Sequence, residues 1–380
     1  MTIEPFSFDR RLFLGMAGAS VLLPSAALAQ PSGKRLPIIV NALGGLSDPN
    51  DSDEDPTSES RRTLSDRVIA DARASGLTAV NVTMGYVAGE EEPFEQTVRE
   101  IARWEARVRS RPDDLIKVLS AADIVRARRL DRVGIIYGFQ NAAMMATDIG
   151  RVDVFADLGV RVFQLTYNRA NHIGGGSMSP EGTGISPFGR QVIERLNARK
   201  VMVDLSHSGE RTCLEAARIS AAPVSINHTG CRALTDLPRN KTDEELRLVA
   251  ERGGFVGIYF MPFLSPDSLA TAEDVVAHID HAVNVCGEDH VGIGTDGGTT
   301  AIDDMDAFRA KMREEVAARR AAGIGAAGEN PDTLPFVEEL SGPDQFRRLI
   351  ALLEERGYTQ QRIEKIMGLN FIAYAGEIWG

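Results

Sequence analysis

Residues 200–240 read KVMVDLSHSGERTCLEAARISAAPVSINHTGCRALTDLPRN. An apolar run over residues 201–205 leads into His207, and a second short apolar run leads into His228. The interval between them, residues 210–220, has the length and composition of one crossover helix. The stretch therefore predicts a βαβ unit in which two parallel strands each deliver a histidine to the same rim of the sheet.

Apolar runs alternate with helical patterns on both sides of this unit. We predict eight strands, at residues 37–43, 77–83, 133–139, 160–166, 201–205, 223–227, 254–260 and 290–295. Strands alternating with helices in this way predict a (β/α)8 TIM-type barrel, with a doubly wound open sheet as the alternative. Five strands are followed by polar side chains that a barrel would gather at one mouth: Gln140, Tyr167, His207, His228 and Asp296.

The composition is that of a soluble globular protein large enough to bury a sizeable core. Of the 380 residues, 43% are hydrophobic and 25% are charged, and the formal net charge is −12. A strongly acidic balance argues against a nucleic-acid partner, because phosphate backbones bind basic surfaces. Cys213, Cys231 and Cys286 are dispersed and odd in number, so they predict neither a metal-spaced pair nor a disulfide framework.

The N-terminal residues carry the pattern of a twin-arginine export signal. Arg10 and Arg11 precede a short apolar run over residues 15–23, and Ala-Leu-Ala at 27–29 is a small-x-small cleavage site. The apolar run is too short to serve as a permanent membrane span. We therefore expect the twin-arginine machinery to export the chain, residues 1–29 to be removed, and residues 30–380 to form a single barrel domain in the periplasm.

Five stretches carry a resemblance to a known family. They are LGVRVFQLTYNRAN at 158–171, VMVDLSH at 201–207, PVSINHTGCRALTDLPRNKTDEELRLVAERGGFVGI at 223–258, HVGIGTD at 290–296 and MGLNFIAYAGEIW at 367–379. With them the chain resembles the membrane (renal) dipeptidase family, zinc peptidases among the amidohydrolase-type barrels. The resemblance implies a barrel with two zinc ions that hydrolyses a small peptide-like substrate, and it implies a homodimer.

Four residues stand at functional positions of that family. The resemblance implies that His207 and His228 occupy the two strand-end histidine ligand positions. Asp296 stands at the family's eighth-strand aspartate, which lies beside the metals and assists proton transfer. Arg239, in the Pro-Arg-Asn segment, stands where the family binds the substrate carboxylate; a loop-fixing salt bridge is the alternative for this residue.

Other family positions are changed. Where the family's first strand ends in Asp-Gly-His-x-Asp, this chain has Leu43 for the histidine and Gly45 for the aspartate. Gln140 stands for the bridging glutamate after the family's third strand, and Tyr167 for the substrate-facing histidine after the fourth. Leucine and glycine offer no lone pair to a cation. A neutral glutamine removes the negative charge that offsets repulsion between two cations.

We therefore expect at most one zinc ion, held by His207 and His228, with Asp296 or water completing the shell. In the alternative without metal, the two histidines hydrogen-bond each other, Asp296 or the backbone, and Asp296 serves to turn the chain. Tyr167 is then a candidate acid or base. We also predict that Gln140 contacts substrate and that His172 replaces the missing substrate histidine, although a surface position suits His172 as well.

Three functions remain open from the sequence. The first is a periplasmic metallohydrolase of dipeptides or related small amides. The second is a metal-independent enzyme that tailors a peptide-like secreted molecule, and the third is a non-catalytic binding protein on the same scaffold. Three further histidines, His278, His281 and His290, are predicted at surface positions.

Overall fold

A computed structural model describes residues 36–51, 62–321 and 327–380 of the chain. The predicted export signal, residues 1–29, lies outside the described residues. Within the described ranges, no helix combines the length and the apolar character needed to cross a bilayer.

The described residues form one parallel sheet of nine strands, eight of which make up its central path. The strands are β1 (Ile39–Gly44), β2 (Leu77–Thr83), β3 (Leu115–Lys117), β4 (Val133–Phe139), β5 (Val160–Gln164), β6 (Met202–Asp204), β7 (Ser225–Thr229), β8 (Phe255–Ile258) and β9 (Val291–Ile293). Their order is β1-β2-β4-β5-β6-β7-β8-β9, and β3 pairs with β4 beside this path. The eight predicted strands are thus present in the predicted order, while β3 was not predicted.

The sheet closes on itself between β1 and the residues that follow β9. The Asp296 amide donates to the Leu43 carbonyl at 3.0 Å, and the Gly45 amide donates to the Gly297 carbonyl at 3.0 Å. The Asn41 side chain adds two bonds to Thr295, one to its hydroxyl and one from its amide, each 2.8 Å long. This closure confirms the predicted barrel and rules out the open sheet.

Helices separate the strands and cover the outside of the barrel. They are α1 (Asp66–Ala74), α2 (Pro93–Ser110), α3 (Ala121–Leu130), α4 (Gly150–Asp157), α5 (Pro187–Ala198), α6 (Glu210–Ile219), α7 (Asp243–Glu251), α8 (Ala272–Cys286), α9 (Met305–Ala321), α10 (Gln345–Glu355), α11 (Gln360–Glu364) and α12 (Asn370–Trp379). Local sequence sets several starts. Thr242 with Glu245 opens α7, and Thr271 with Asp274 opens α8, each as a capping box that satisfies free amides of the first turn.

The last helix, α12, closes the end of the barrel opposite the mouth. Phe371 and Trp379 belong to a buried cluster that includes residues of six strands, such as Val40, Ala79 and Phe255. A single cluster that touches six strands around a barrel must fill its interior. The Phe371 ring packs edge-on against Phe255 at 5.3 Å between centroids. The polar strand ends therefore line the one end that α12 leaves open.

Candidate active site in the barrel mouth

The two predicted histidines lie side by side at the mouth. His228 is in β7 and His207 follows β6, and both side chains are almost completely buried. Their Nε2 atoms are 3.0 Å apart. The βαβ unit predicted from the sequence therefore brings the two imidazoles into direct contact.

A buried carboxylate joins the two strands just before their histidines. One oxygen of Asp204, at the end of β6, accepts the amides of Ser206 and Asn227, both at 3.0 Å. The Ser206 hydroxyl in turn accepts the His228 amide at 3.1 Å. Since these bonds cross from β6 to β7, they fix the separation of the two imidazoles independently of any ligand.

Asn168 determines which nitrogen of His207 carries the proton. Its Oδ1 atom lies 2.8 Å from His207 Nδ1, and an amide oxygen can only accept, so Nδ1 is the protonated nitrogen. His207 Nε2 therefore keeps its lone pair and faces His228. His228 Nδ1 is buried and has no hydrogen-bond partner within the described part of the chain. Asn168 was not predicted from the sequence, although its place directly after Tyr167 at a strand end was a usable signal.

Both imidazoles are neutral at neutral pH. Burial lowers the pKa of His207 and of His228 well below the usual value for histidine, and the nearby Arg239 guanidinium lowers both further. Arg239 is itself buried, and it donates to the Ser206 carbonyl at 2.5 Å and to the His228 carbonyl at 2.9 Å. These bonds support the loop-fixing alternative for Arg239, through carbonyls rather than through a salt bridge.

Asp296 brings a carboxylate to the same mouth. Its Oδ2 atom lies 4.0 Å from His228 Nε2, and the Gln140 amide nitrogen donates to its Oδ1 at 3.4 Å. Burial raises the pKa of Asp296 to about 6, while Arg239 and Gln140 oppose that shift. Its φ of 58° is a left-handed conformation that glycine adopts more easily. An aspartate that tolerates this backbone beside the histidines turns the chain and is also a functional candidate.

Tyr167 and Gln140 complete the predicted ring of polar residues. The Tyr167 ring stacks on the His207 ring at 4.2 Å between centroids and 26° between planes. Burial raises the pKa of Tyr167 to about 12, so its phenol is protonated at neutral pH and can donate but not act as a base. The Gln140 amide nitrogen also donates to the Thr83 hydroxyl at 2.8 Å.

The remaining predicted positions differ in their surroundings. His172 is exposed on the loop after β5, where its carbonyl accepts the Ser186 hydroxyl at 2.6 Å, so its role in substrate binding stays a prediction. Leu43 is buried but belongs to neither hydrophobic cluster of the core. A Cβ atom at Gly45 would meet nothing within 4 Å.

The donor atoms of the mouth are therefore two imidazole nitrogens with one carboxylate nearby. Across residues 36–51, 62–321 and 327–380, no group of three or more His, Cys, Asp or Glu side chains is placed to hold a metal ion. Asp296 Oδ2 lies 4.0 Å from His228 Nε2, slightly more than the separation of about 3.5 Å between two ligands that are each about 2.1 Å from one tetrahedral zinc ion.

Comparison with known proteins places this arrangement in a family. A family model described as membrane dipeptidase (peptidase family M19) matches residues 66–313. A Klebsiella pneumoniae protein named "Uncharacterized protein in pqqA 5'region" is 30% identical over 272 residues, which cover 69% of this chain and 88% of that protein. Dipeptidase tcpJ of Claviceps purpurea is 28% identical over 263 residues, which cover 68% of this chain and 54% of that protein.

A solved structure agrees with the barrel. A chain described as an amidohydrolase from Pseudomonas aeruginosa is 32% identical, with a TM-score of 0.75. The alignment covers 90% of this chain and 97% of that one.

Proposed function

The chain belongs to the membrane dipeptidase family of metallopeptidases, a family of hydrolases, and we propose that it hydrolyses a dipeptide or a related small amide with a single metal ion. One observation carries the proposal. The Nε2 atoms of two neutral imidazoles, His207 and His228, face each other 3.0 Å apart at the barrel mouth, with the Asp296 carboxylate 4.0 Å from His228.

The chemistry of the donors suits one ion better than two. His207 and His228 would hold it, with Asp296 or water completing the shell, because neutral imidazole and carboxylate are good zinc ligands. A bound zinc ion would polarise the scissile carbonyl and lower the pKa of a coordinated water. Leu43 and Gly45 have no donor atoms for a second ion.

The surrounding side chains have their own tasks. The Asp296 carboxylate lies beside the two imidazoles, where it can serve as a ligand or as an acid–base group. The Gln140 amide nitrogen donates to Asp296 Oδ1 at 3.4 Å and so orients that carboxylate. The positive charge of Arg239 attracts the substrate carboxylate, and the protonated Tyr167 phenol can donate a hydrogen bond to the amide.

Metal analysis combined with a dipeptide panel tests the proposal. The chain should be purified with metal-free buffers and analysed for zinc, then assayed against dipeptides before and after treatment with a strong chelator. We expect about one zinc ion per chain, hydrolysis that chelation abolishes, and recovery on adding zinc. Two zinc ions per chain would contradict the single-ion centre, and full activity in chelator would contradict metal dependence.

Full activity in chelator would favour the metal-independent alternative. The specific observation behind it is the direct contact between His207 Nε2 and His228 Nε2, which satisfies both atoms as a hydrogen bond without an ion. The enzyme would then tailor a peptide-like secreted molecule, with Tyr167 as the proton donor. A ligand-induced rise in melting temperature without turnover would instead indicate a binding protein.

We further propose that the protein acts in the periplasm after loss of residues 1–29. The support is the order of Arg10 and Arg11, the apolar run and the small-x-small site. The mature N-terminus should be Gln30 or a neighbour, and replacing both arginines by lysine should retain the precursor in the cytoplasm. Recovery of intact Met1 from the periplasm would contradict the processing. Light scattering would test the expected homodimer.

A further inference from the structure

A cavity of about 590 Å³ opens beside Asp296, on the flank of the mouth away from the histidines. The loop that follows β9 and the first turns of α9 form one wall, and the segment before α10 forms the other. Asp296 lines both this cavity and the polar mouth. The cavity therefore adjoins the place where hydrolysis is proposed.

The cavity has an apolar interior and a charged rim. Its apolar lining consists chiefly of Phe260, Ile302, Met305, Phe308, Phe336 and Leu340. Phe260 and Leu340 are almost completely buried, whereas the charged lining residues Asp344 and Arg348 are exposed. Such a gradient suits a ligand that inserts an apolar group and leaves polar atoms at the entrance.

Part of the apolar lining remains accessible to solvent. Met305, Phe308 and Phe336 are only half-buried, and the two phenylalanine rings lean together at 5.7 Å between centroids and 41° between planes. Apolar surface left open inside a concavity is typical of a binding site. The size also fits, because pockets for small ligands measure about 300–1,000 Å³.

We propose that this cavity binds a bulky apolar substituent, aromatic or branched aliphatic, of the amide that is hydrolysed at the histidine pair. The proposal rests on the function proposed above and adds the class of substrate. The second wall includes Phe336 and Leu340, which lie beyond residues 66–313, the range matched by the family model.

Paired substrates test the preference. The zinc-loaded full chain should be assayed with Phe-Gly against Ala-Gly and with Gly-Phe against Gly-Ala, so that each pair differs in one side chain. We expect the phenylalanyl member of one pair to have a kcat/KM at least about tenfold higher, as a filled apolar pocket provides. Met305→Trp should fill the cavity and remove that preference, so that the two members of the pair have similar kcat/KM values.

A matched control and a binding measurement complete the design. Val125→Trp introduces the same residue at an exposed position of α3, which contributes nothing to the cavity lining, and should keep the preference. Calorimetry with N-acetylphenylalaninamide and N-acetylglycinamide reports binding without turnover. Met305→Trp should abolish binding of the first probe, and melting curves should confirm that both variants fold.

The outcomes separate this inference from the proposed function. Hydrolysis with equal rates within both pairs would overturn the cavity as a substituent site, as would a preference that survives Met305→Trp. If no substrate is hydrolysed but the chain binds N-acetylphenylalaninamide and Met305→Trp abolishes that binding, the proposed function is overturned. The assignment of the cavity as a binding site for an apolar group is then still supported. Neither hydrolysis nor binding would overturn both.

Discussion

The two halves of the barrel mouth are built differently. At the β6–β7 half, His207 and His228 touch each other and His207 donates to Asn168, while Asp204 accepts the backbone amides of Ser206 and Asn227 beside them. At the β1 half, backbone bonds between β1 and the residues after β9 close the barrel, and Leu43 takes part through its carbonyl alone.

The difference explains how the β1 half can lack metal-ligand side chains without loss of the fold. The closure near β1 needs the Leu43 carbonyl and the Gly45 amide, atoms that every residue provides. The histidine half is different, because its imidazoles are both candidate ligands and members of the buried hydrogen-bond network. Positions 43 and 45 of the β1 half can therefore change their side chains without losing these bonds, whereas the two histidines cannot be replaced without loss of their network.

The largest effect should come from removing one imidazole of the histidine half. His228→Ala should lose bound zinc and lower hydrolysis by more than about 100-fold, since even the partners of metal ligands contribute 10–100-fold. Elemental analysis and kcat/KM with the dipeptide panel would measure both losses. His228→Gln, which keeps more of the volume, should behave alike, while His281→Ala on α8 should retain zinc and activity. Retained zinc in both His228 variants would contradict the proposed centre.

Adding metal-ligand side chains to the β1 half should make its metal binding similar to that of the histidine half. The combination of Leu43→His, Gly45→Asp and Gln140→Glu adds an imidazole and two carboxylates, and the space beside Gly45 is open for the new side chain. We expect the zinc content to rise from about one ion toward two, because the added charge offsets repulsion between the ions. A stoichiometry that stays at one would show that these side chains are not what distinguishes the halves.

A smaller effect should follow from releasing His207. Asn168→Ala removes the acceptor that holds Nδ1–H, so the ring can turn and its Nε2 lone pair is no longer directed at His228. Zinc affinity should fall by about 10–100-fold, measured by competition with a calibrated chelator. Asn168→Asp keeps an acceptor oxygen and should restore the affinity. Equal weakening in both variants would indicate a packing role instead.

The smallest effect concerns the loss of folding stability at acid pH that is caused by His278, a buried histidine of α8. His278 accepts the Cys231 amide at Nδ1 and is buried, which lowers its pKa from 6.5 to about 4. Below pH 6.5 the unfolded chain binds a proton that the folded chain refuses, so the stabilisation present above pH 6.5 is lost as the pH falls toward 4. Between pH 7 and 5.5 this linkage should lower the free energy of unfolding by about 1 kcal/mol.

Denaturant unfolding at the two pH values measures that loss. His278→Gln keeps a polar side chain without a titrating group, so its unfolding free energy should depend less on pH over the same interval. An identical pH dependence in the variant and the parent chain would contradict the assignment to His278.

The sequence predicted the barrel because its strands are apolar runs with polar residues at their ends. It missed β3, which has three residues, and α12, whose run NFIAYAGEIW is mostly apolar although Ala373, Gly376 and Glu377 are exposed. A three-residue strand is too short to show an alternating pattern. A helix with one charged residue shows little contrast between its buried and its exposed face.

The sequence predicted the candidate site in part. Strand-end positions identified Gln140, Tyr167, His207, His228 and Asp296 as neighbours, since a barrel gathers the ends of its strands. The sequence did not predict that Asn168 holds His207, and it placed His278 at the surface, where the structure buries it. That surface prediction was wrong because backbone groups of Cys231 and Leu264 satisfy both ring nitrogens. Such partners depend on tertiary geometry that no local pattern encodes.

The helix that closes the barrel floor has a consequence for the order in which the protein can assemble. Asn41 and Thr295, which join the first and last strands, are 254 positions apart, and Phe371 of α12 meets strands that precede it by more than a hundred residues. Contacts between such distant segments fold slowly, because a long loop must close before any of them forms. During synthesis the strands must therefore wait, with their inner apolar faces uncovered, until α12 has left the ribosome.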